Sequence, residues 1–424
     1  MQDRPSVSSG GRALPARGAP APCIPPAQTP PRKPLGGIRV LDLTNVLAGP
    51  YCSYQLALLG AEVVKVELPG QGDLARHLGS DPELNEAGLG ASFLAQNAGK
   101  KSVELDLKDP ADQAVFRDMV GSADVLLENF RAGVLDRIGF GWPVLHELNP
   151  RLVYCAISGF GQTGPMRHAP AYDQVIQGLS GMMAITGTPA TAPLRVGFPV
   201  CDTIGGLMAA LSISAALAGR AQSGQGCFLD VSMLEAAISA MGWPVSNYLV
   251  AGVPPEPMGD QNATAAPSGT FDTADGPLNI AANRQEQFET LCRLVGRPRL
   301  IDDPRFADRE ARKRNRDELS GELNAALQAG TAEEWERLLT AAGVPAARIL
   351  TVPQAMELDQ LALRGLFTDL PYPDGSGRVL RVTGSGVLFD GEPLRPESPP
   401  PRLGEHNGER GLLADQWRIA GRAS

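Results

Sequence analysis

The sequence predicts an α/β protein, an open and mostly parallel sheet with helices on both faces, followed by a second, smaller α+β domain. Three observations predict it. Short β-branched runs alternate with helical runs through the first half of the chain. From about residue 245 the composition shifts towards Pro, Gly and polar residues, and a hairpin signal follows. The chain has 424 residues, 43% of them hydrophobic, enough for a large core and more than one domain.

Nine prolines fall in the first 34 residues, and residues 1–36 read as a disordered tail. Ile38–Thr44 reads as a strand, Pro50–Gly60 as a helix with a glycine cap, and 61–67 as a second strand. That is a βαβ unit, with parallel strands and a right-handed crossover. The alternation recurs: helix 110–122, strand 123–128, helix 142–148, strand 152–158. The sheet is therefore expected to be Rossmann-like, with ligands bound at the carboxyl ends of its strands. Helical regions follow at 202–217 and 231–241, closing a large domain over 37–244. A smaller domain is expected over 245–345. It holds a strand–turn–strand at 268–282 around Asp275-Gly276, a helix at 285–294 and a charged helical run at 306–329. The cluster 308–316 mixes acids and bases, as a solvated helix face does. Residues 346–424, with strands at 379–382 and 387–389, are expected to return to the large domain.

Net charge is −9, which argues against a nucleic-acid surface. No apolar run approaches a membrane span, and 207–218 reads as a short buried helix. Six scattered cysteines without a CxxC pair suit reduced thiols in a cytoplasmic protein. Four histidines without paired spacing argue against a metal site.

Gly159–Gly164 spells GxGxxG after a strand. Prolines frame it where a dinucleotide site needs a helix, and no acid lies about 20 residues on. It reads as a turn suited to close ligand approach. Asp202 stands between Gly197 and Gly206, just before 207–218. As an N-cap it would accept backbone N–H bonds. As a reactive carboxylate it would sit among free amides able to stabilise an oxyanion. The residues alone leave both readings open. Arg76, Lys100, Lys101, Lys108, Asn129, Arg131 and Arg137 fall near strand ends and could serve a phosphorylated ligand.

The segments Gly37–Thr44 with Ala48–Pro50, Leu59–Glu67, Gly72-Asp73, Lys100–Lys108, Asp124–Phe130 and Gly133–Arg137 carry a resemblance. So do Leu148–Arg151, Ser158–Gln162, Gly197–Asp202 and Leu403–His406. From about Gly36 to His406 the chain resembles the family III CoA-transferases, a group that also holds the α-methylacyl-CoA racemases. The resemblance implies an interlocked homodimer and Asp202 as nucleophile. In that mechanism Asp202 attacks a donor acyl-CoA, giving a mixed anhydride and then an aspartyl-CoA thioester. It also implies CoA contacts at Val46, Leu47, Leu105, Asp106, Leu107, Lys108, Asn129, Phe130, Arg131, Arg137, Ala169, Pro170, Ala171 and Tyr172. CoA and acyl-CoA are then substrates, with no cofactor bound permanently. Racemase members carry His–Asp where this chain has Tyr172-Asp173, so the usual base is missing and transfer is favoured over racemisation. His168 reads as a loop histidine. Leu47 and a glycine-poor segment 258–262 set the chain apart from formyl-CoA transferase and argue against formate or oxalate. A dicarboxylate donor such as succinyl-CoA fits the family's range.

Overall fold

The computed structural model describes residues 33–420. Most of the expected tail, residues 1–32, lies outside the described residues, as does Cys23. Six strands form one parallel sheet: β1 (Arg39–Asp42), β2 (Glu62–Glu67), β3 (Lys100–Glu104), β4 (Val125–Glu128), β5 (Val153–Ser158) and β6 (Cys227–Ser232). Their order is β3-β2-β1-β4-β5-β6. The order reverses direction between β1 and β4, so the loops after those two strands open a crevice at the carboxyl edge.

Both faces are covered, which is why the strands read as continuous apolar runs rather than alternating ones. On one face α1 (Ala48–Leu58) and α5 (Val200–Ser223) bury Cys52, Leu56, Ala209 and Ile213 against Val40, Val125 and Val153. On the other, α2 (Pro110–Ser122) buries Phe116 and Met119 against Leu41 and Leu126. Asp109 caps α2 by accepting from Ala111 N at 2.8 Å, and Pro110 fits its first turn. Gly60 ends α1 at φ 101°, a conformation few side chains adopt. The helices α3 (Trp142–Leu148) and α4 (Asp173–Leu179) precede and follow β5.

Three features depart from the expectations. β6 runs straight into α6 (Met233–Ala240), with Ser232 both the last strand residue and the N-cap, accepting from Glu235 N at 3.3 Å. With no loop between them, strand and helix read in sequence as one helical stretch. Second, α5 is 24 residues long, with an 18-residue window of mean hydropathy 1.6. By length and composition it could cross a membrane, contrary to the reading of a short helix. Here one side packs on α1, β5 and β6 while Leu207, Met208 and Leu211 stay exposed. Third, 306–329 is two helices, α9 (Arg309–Arg314) and α10 (Arg316–Leu327). The expected solvated face contains a buried cation. Arg312 donates to Ala266 O at 2.9 Å and Gln285 Oε1 at 2.8 Å, and stacks over Phe288. Tertiary carbonyls replace the water a charge pattern leads one to expect.

After α7 (Trp243–Ala251; it precedes α9 in the chain), β7 (Ser268–Asp272) and β8 (Pro277–Ala281) form the expected hairpin. The strand β9 (Ala346–Arg348) adds antiparallel to β8. The helices α8 (Gln285–Leu294), α10 and α11 (Ala332–Ala341) close a separate core around Phe271, Phe288, Leu323 and Leu339. The hairpin β10 (Phe367–Pro371) and β11 (Val379–Thr383) packs Leu370 and Val382 against Tyr54 and Leu58 of α1. The last helix, α12 (Arg410–Ala420), packs on α2. Its Trp417 is buried and donates to Glu62 Oε2 at 2.8 Å.

Candidate active site

The crevice is built from two loops. After β1, Asn45 N donates to Asn129 Oδ1, and Asn129 Nδ2 donates back to Asn45 O, both at 2.8 Å. This clamp ties the loop after β1 to the loop after β4. Beneath the second loop, the Glu128 carboxylate accepts from Phe130 N at 2.6 Å and Tyr154 Oη at 3.1 Å. Burial pushes its carboxyl up to about 8.

Val46 is held at φ 68°, an unusual conformation for a β-branched residue. What holds it is buried. Asp73 Oδ1 accepts from Val46 N at 2.9 Å, and Asp73 Oδ2 pairs with Lys65 Nζ at 2.9 Å. Lys65 also donates to Thr44 O at 2.6 Å. Alongside, Lys100 pairs with Asp42 at 3.2 Å and donates to Asn97 Oδ1 at 2.7 Å. Burial lowers the Lys100 ammonium to about 8. Burial alone would raise Asp42, yet Lys65, Lys100 and its hydroxyl donors outweigh that and hold it below the usual carboxylate range.

Above this base lies a cavity of about 230 Å³, walled by Asn45–Ala48, Asn129–Arg131, Ile157–Phe160, Arg167, 169–172, Asp202 and Met233. Asp202 is the third residue of α5, not its N-cap, which is Pro199. The amides expected to lie free around it are taken. Asp173 Oδ1, at the start of α4, accepts from Cys201 N at 2.8 Å and from Asp202 N at 3.4 Å. Val200 N donates to Phe198 O and Thr203 N to Pro199 O. Of the flanking glycines, Gly197 faces open space and Gly206 serves packing: a Cβ on Gly206 would meet Ala48 O and the ring of Tyr51, so α1 and α5 touch there. Among the amides lining the cavity, those of Leu47 and Ala48, at the start of α1, have no acceptor among the described residues.

The Asp202 carboxylate has no hydrogen-bond donor among the described residues. Burial first, and then the charge of Asp173, push it up to about 7. Asp173 itself is engaged. Gln177 Nε2 donates to it at 2.6 Å, Arg195 lies 3.5 Å away, and Gln177 Oε1 accepts from Val196 N at 2.9 Å. This network fixes the segment 195–202 that delivers Asp202.

A second cavity, of about 640 Å³, adjoins the first through Asn45 and Phe130. Leu105, Asp106, Leu107 and Lys108 line it, together with Gly70–Leu74 and His77. The structure thus brings Asp202, Val46, Leu47, Asn129, Phe130, Arg131, Ala169, Pro170, Ala171 and Tyr172 to one cavity and 105–108 to the next. Arg137 is exposed and lines neither. Three of the other basic residues do not serve the ligand edge. Arg76 is buried against Glu67, Lys100 is fully buried, and Lys101 pairs with Glu62 and Glu409 at the opposite edge of the sheet. Each sits beside a carboxylate that sequence spacing cannot reveal. Gly159 and Phe160 of the GxGxxG run form cavity wall, and no helix begins until Asp173. Asn45, Arg167 and Asp173 were not anticipated. Asn45 had a signal in its place directly after a strand; the pairing of Asp173 with α5 had none.

A doubly wound sheet with its crevice at the switch point defines a ligand-binding α/β protein. The model of CoA-transferase family III matches residues 35–407. Acetyl-CoA:oxalate CoA-transferase of Acetobacter aceti is 38% identical over 372 residues, 87% of this chain and 91% of the relative. Succinate–glutarate CoA-transferase of Agrobacterium fabrum is 37% identical over 391 residues, 90% of this chain and 96% of the relative. Among solved structures, a CAIB/BAIF family protein from Brucella suis aligns with TM-score 0.79 at 35% identity, covering 90% of this chain and 99% of that one. This chain belongs to CoA-transferase family III and is an enzyme of the CoA-transferase class.

Proposed function

We propose that the enzyme moves CoA from a dicarboxylic acyl-CoA, with succinyl-CoA the first candidate, to an acceptor carboxylate through Asp202. The observation that carries the proposal is a carboxylate in the wall of the switch-point cavity with no donor among the described residues. Relatives named for succinate and glutarate support the dicarboxylic donor. The expectation against oxalate loses its ground, because a relative named for oxalate is 38% identical.

In the proposed reaction an Asp202 oxygen attacks the thioester carbonyl and CoA leaves as thiolate, giving a mixed anhydride. The thiolate then attacks the Asp202 carbonyl, releasing succinate and leaving an aspartyl-CoA thioester. The acceptor carboxylate attacks that thioester, and the steps reverse with the new acid. Water receives no acyl group, so thioester free energy is conserved. The amides of Leu47 and Ala48, at the start of α1, would serve as donors for the oxyanions. The pantetheine and nucleotide ends would extend past Phe130 into the second cavity, towards Lys108.

Attack requires the ionised carboxylate. With Asp202 raised to about 7, kcat/KM should climb tenfold per pH unit up to about 7 and level off above it. Stopped assays from pH 5.5 to 8.5 check this; a flat profile below 7 contradicts it. The reaction itself is tested by mass spectrometry of products from succinyl-CoA and a pool of small acids. A new acyl-CoA that Asp202→Ala abolishes supports the proposal. Hydrolysis alone, or no product from any donor, opposes it. We also propose a homodimer, because Leu211 on α5 and Trp243, Leu249 and Val250 on α7 are exposed apolar groups. Sedimentation should give twice the chain mass, and a monomer at micromolar concentration would contradict this.

A further inference from the structure

Two arginines line the Asp202 cavity among the described residues, and they differ in position. Arg131 directly follows Phe130, which with Asn45 is shared by both cavities. Arg167 lies on the loop between β5 and α4 and lines only the Asp202 cavity. Its Nε donates to His168 Nε2 at 3.0 Å. Its two terminal nitrogens have no hydrogen-bond or carboxylate partner among the described residues. Arg195, which lies beside the segment that delivers Asp202, is committed to Asp173.

An unpartnered guanidinium at the reacting end of a cavity offers a planar fork, which matches a carboxylate in two parallel hydrogen bonds. The reacting carboxyl of a substrate must reach Asp202. A second carboxylate, carried on a short chain, would then reach towards the cavity rim, where Arg167 is exposed. We propose that Arg167 binds the non-reacting carboxylate and so selects dicarboxylic over monocarboxylic acids. The inference rests on Asp202 marking the reacting end, and it adds a substrate-reading residue that the CoA contacts do not include.

The test holds the donor constant. With succinyl-CoA, kcat and KM are measured for glutarate and for butyrate in the wild type, Arg167→Ala and Arg167→Lys. An effect on the donor cancels in the ratio of the two kcat/KM values. The preference for glutarate should fall about 10- to 100-fold in Arg167→Ala, mainly through the KM of glutarate, as expected for losing a charged hydrogen-bonded pair. Lysine, which keeps the charge without the fork, should keep part of it. Arg167 is exposed on a loop, so both variants should melt with the wild type. An unchanged ratio overturns the inference, even if both rates fall, since an equal fall marks a CoA contact. A wild type that prefers butyrate also overturns it while leaving CoA transfer intact. A wild type that transfers CoA to no acid removes the proposed function, and the inference with it.

Discussion

Replacing Asp202 by asparagine is expected to lower CoA exchange by about 10⁴-fold or more, the usual scale for deleting a covalent nucleophile. Acyl-CoA affinity should change little, because the cavity-lining groups at 105–108 and 129–131, proposed to hold CoA, come from other elements. Calorimetric titration beside the exchange assay separates the two effects. The same variant should gain stability, and its sign follows from linkage. Unfolded, the carboxyl titrates near 3.8; folded, at about 7. Between those values the folded state holds the extra proton, so its stability falls as pH rises, and the full penalty is present above 7. Asparagine carries no charge to bury. Asp202→Asn should therefore be more stable than the wild type at pH 8, by about 1–3 kcal/mol given partial solvent contact, and nearly equal to it at pH 4. A variant no more stable at pH 8 would show that Asp202 is not buried at an energetic cost.

Replacing Lys65 by methionine is expected to cost about 3–5 kcal/mol, the range for removing one partner of a buried ion pair. Lys65 and Asp73 are fully buried side chains 2.9 Å apart. Without the ammonium, Asp73 is an uncompensated buried charge beside Glu67. The loss should lower Tm by on the order of 10 °C. It should also weaken acyl-CoA binding, since Asp73 holds Val46 in the cavity wall. Adding Asp73→Asn should restore part of the stability but not the binding, and thermal melts with ligand titrations check both. A Lys65→Met protein with wild-type Tm would mean that the pair is solvated.

The sequence made the sheet legible where helix and strand alternate with a break between them. β2, α2 and α3 are set off by Gly60, Asp109-Pro110 and Gly141, and their boundaries fall where those residues predict. β6 was hidden because Ser232 ends the strand and caps the helix without an intervening loop. The start of α5 was misplaced because Asp202 and its glycines imitate a cap. The capping carboxylate belongs to Asp173, 29 residues earlier in sequence and on another helix. The basic residues were ambiguous for a similar reason. Exposed Lys108 and buried Lys100 look alike in sequence, and only the placement of Asp42 separates them. The residues at the cavity wall were legible through resemblance. Their joining into two adjacent cavities through Phe130 is a property of the assembled loops.

The proposed reaction passes through a covalent CoA intermediate on Asp202. It is tested by acid-quenching the enzyme with succinyl-CoA and digesting it with trypsin. The peptide running from Val196 to Arg220 contains a single carboxylate side chain, that of Asp202. It also contains Cys201, so the adduct must survive a phosphine reductant, which cleaves a disulfide and not a thioester, and must yield to hydroxylamine. A CoA adduct on this peptide with that lability, absent in Asp202→Asn, is the expected result. Exchange activity with the peptide unmodified, or a CoA thioester on another residue, would contradict it.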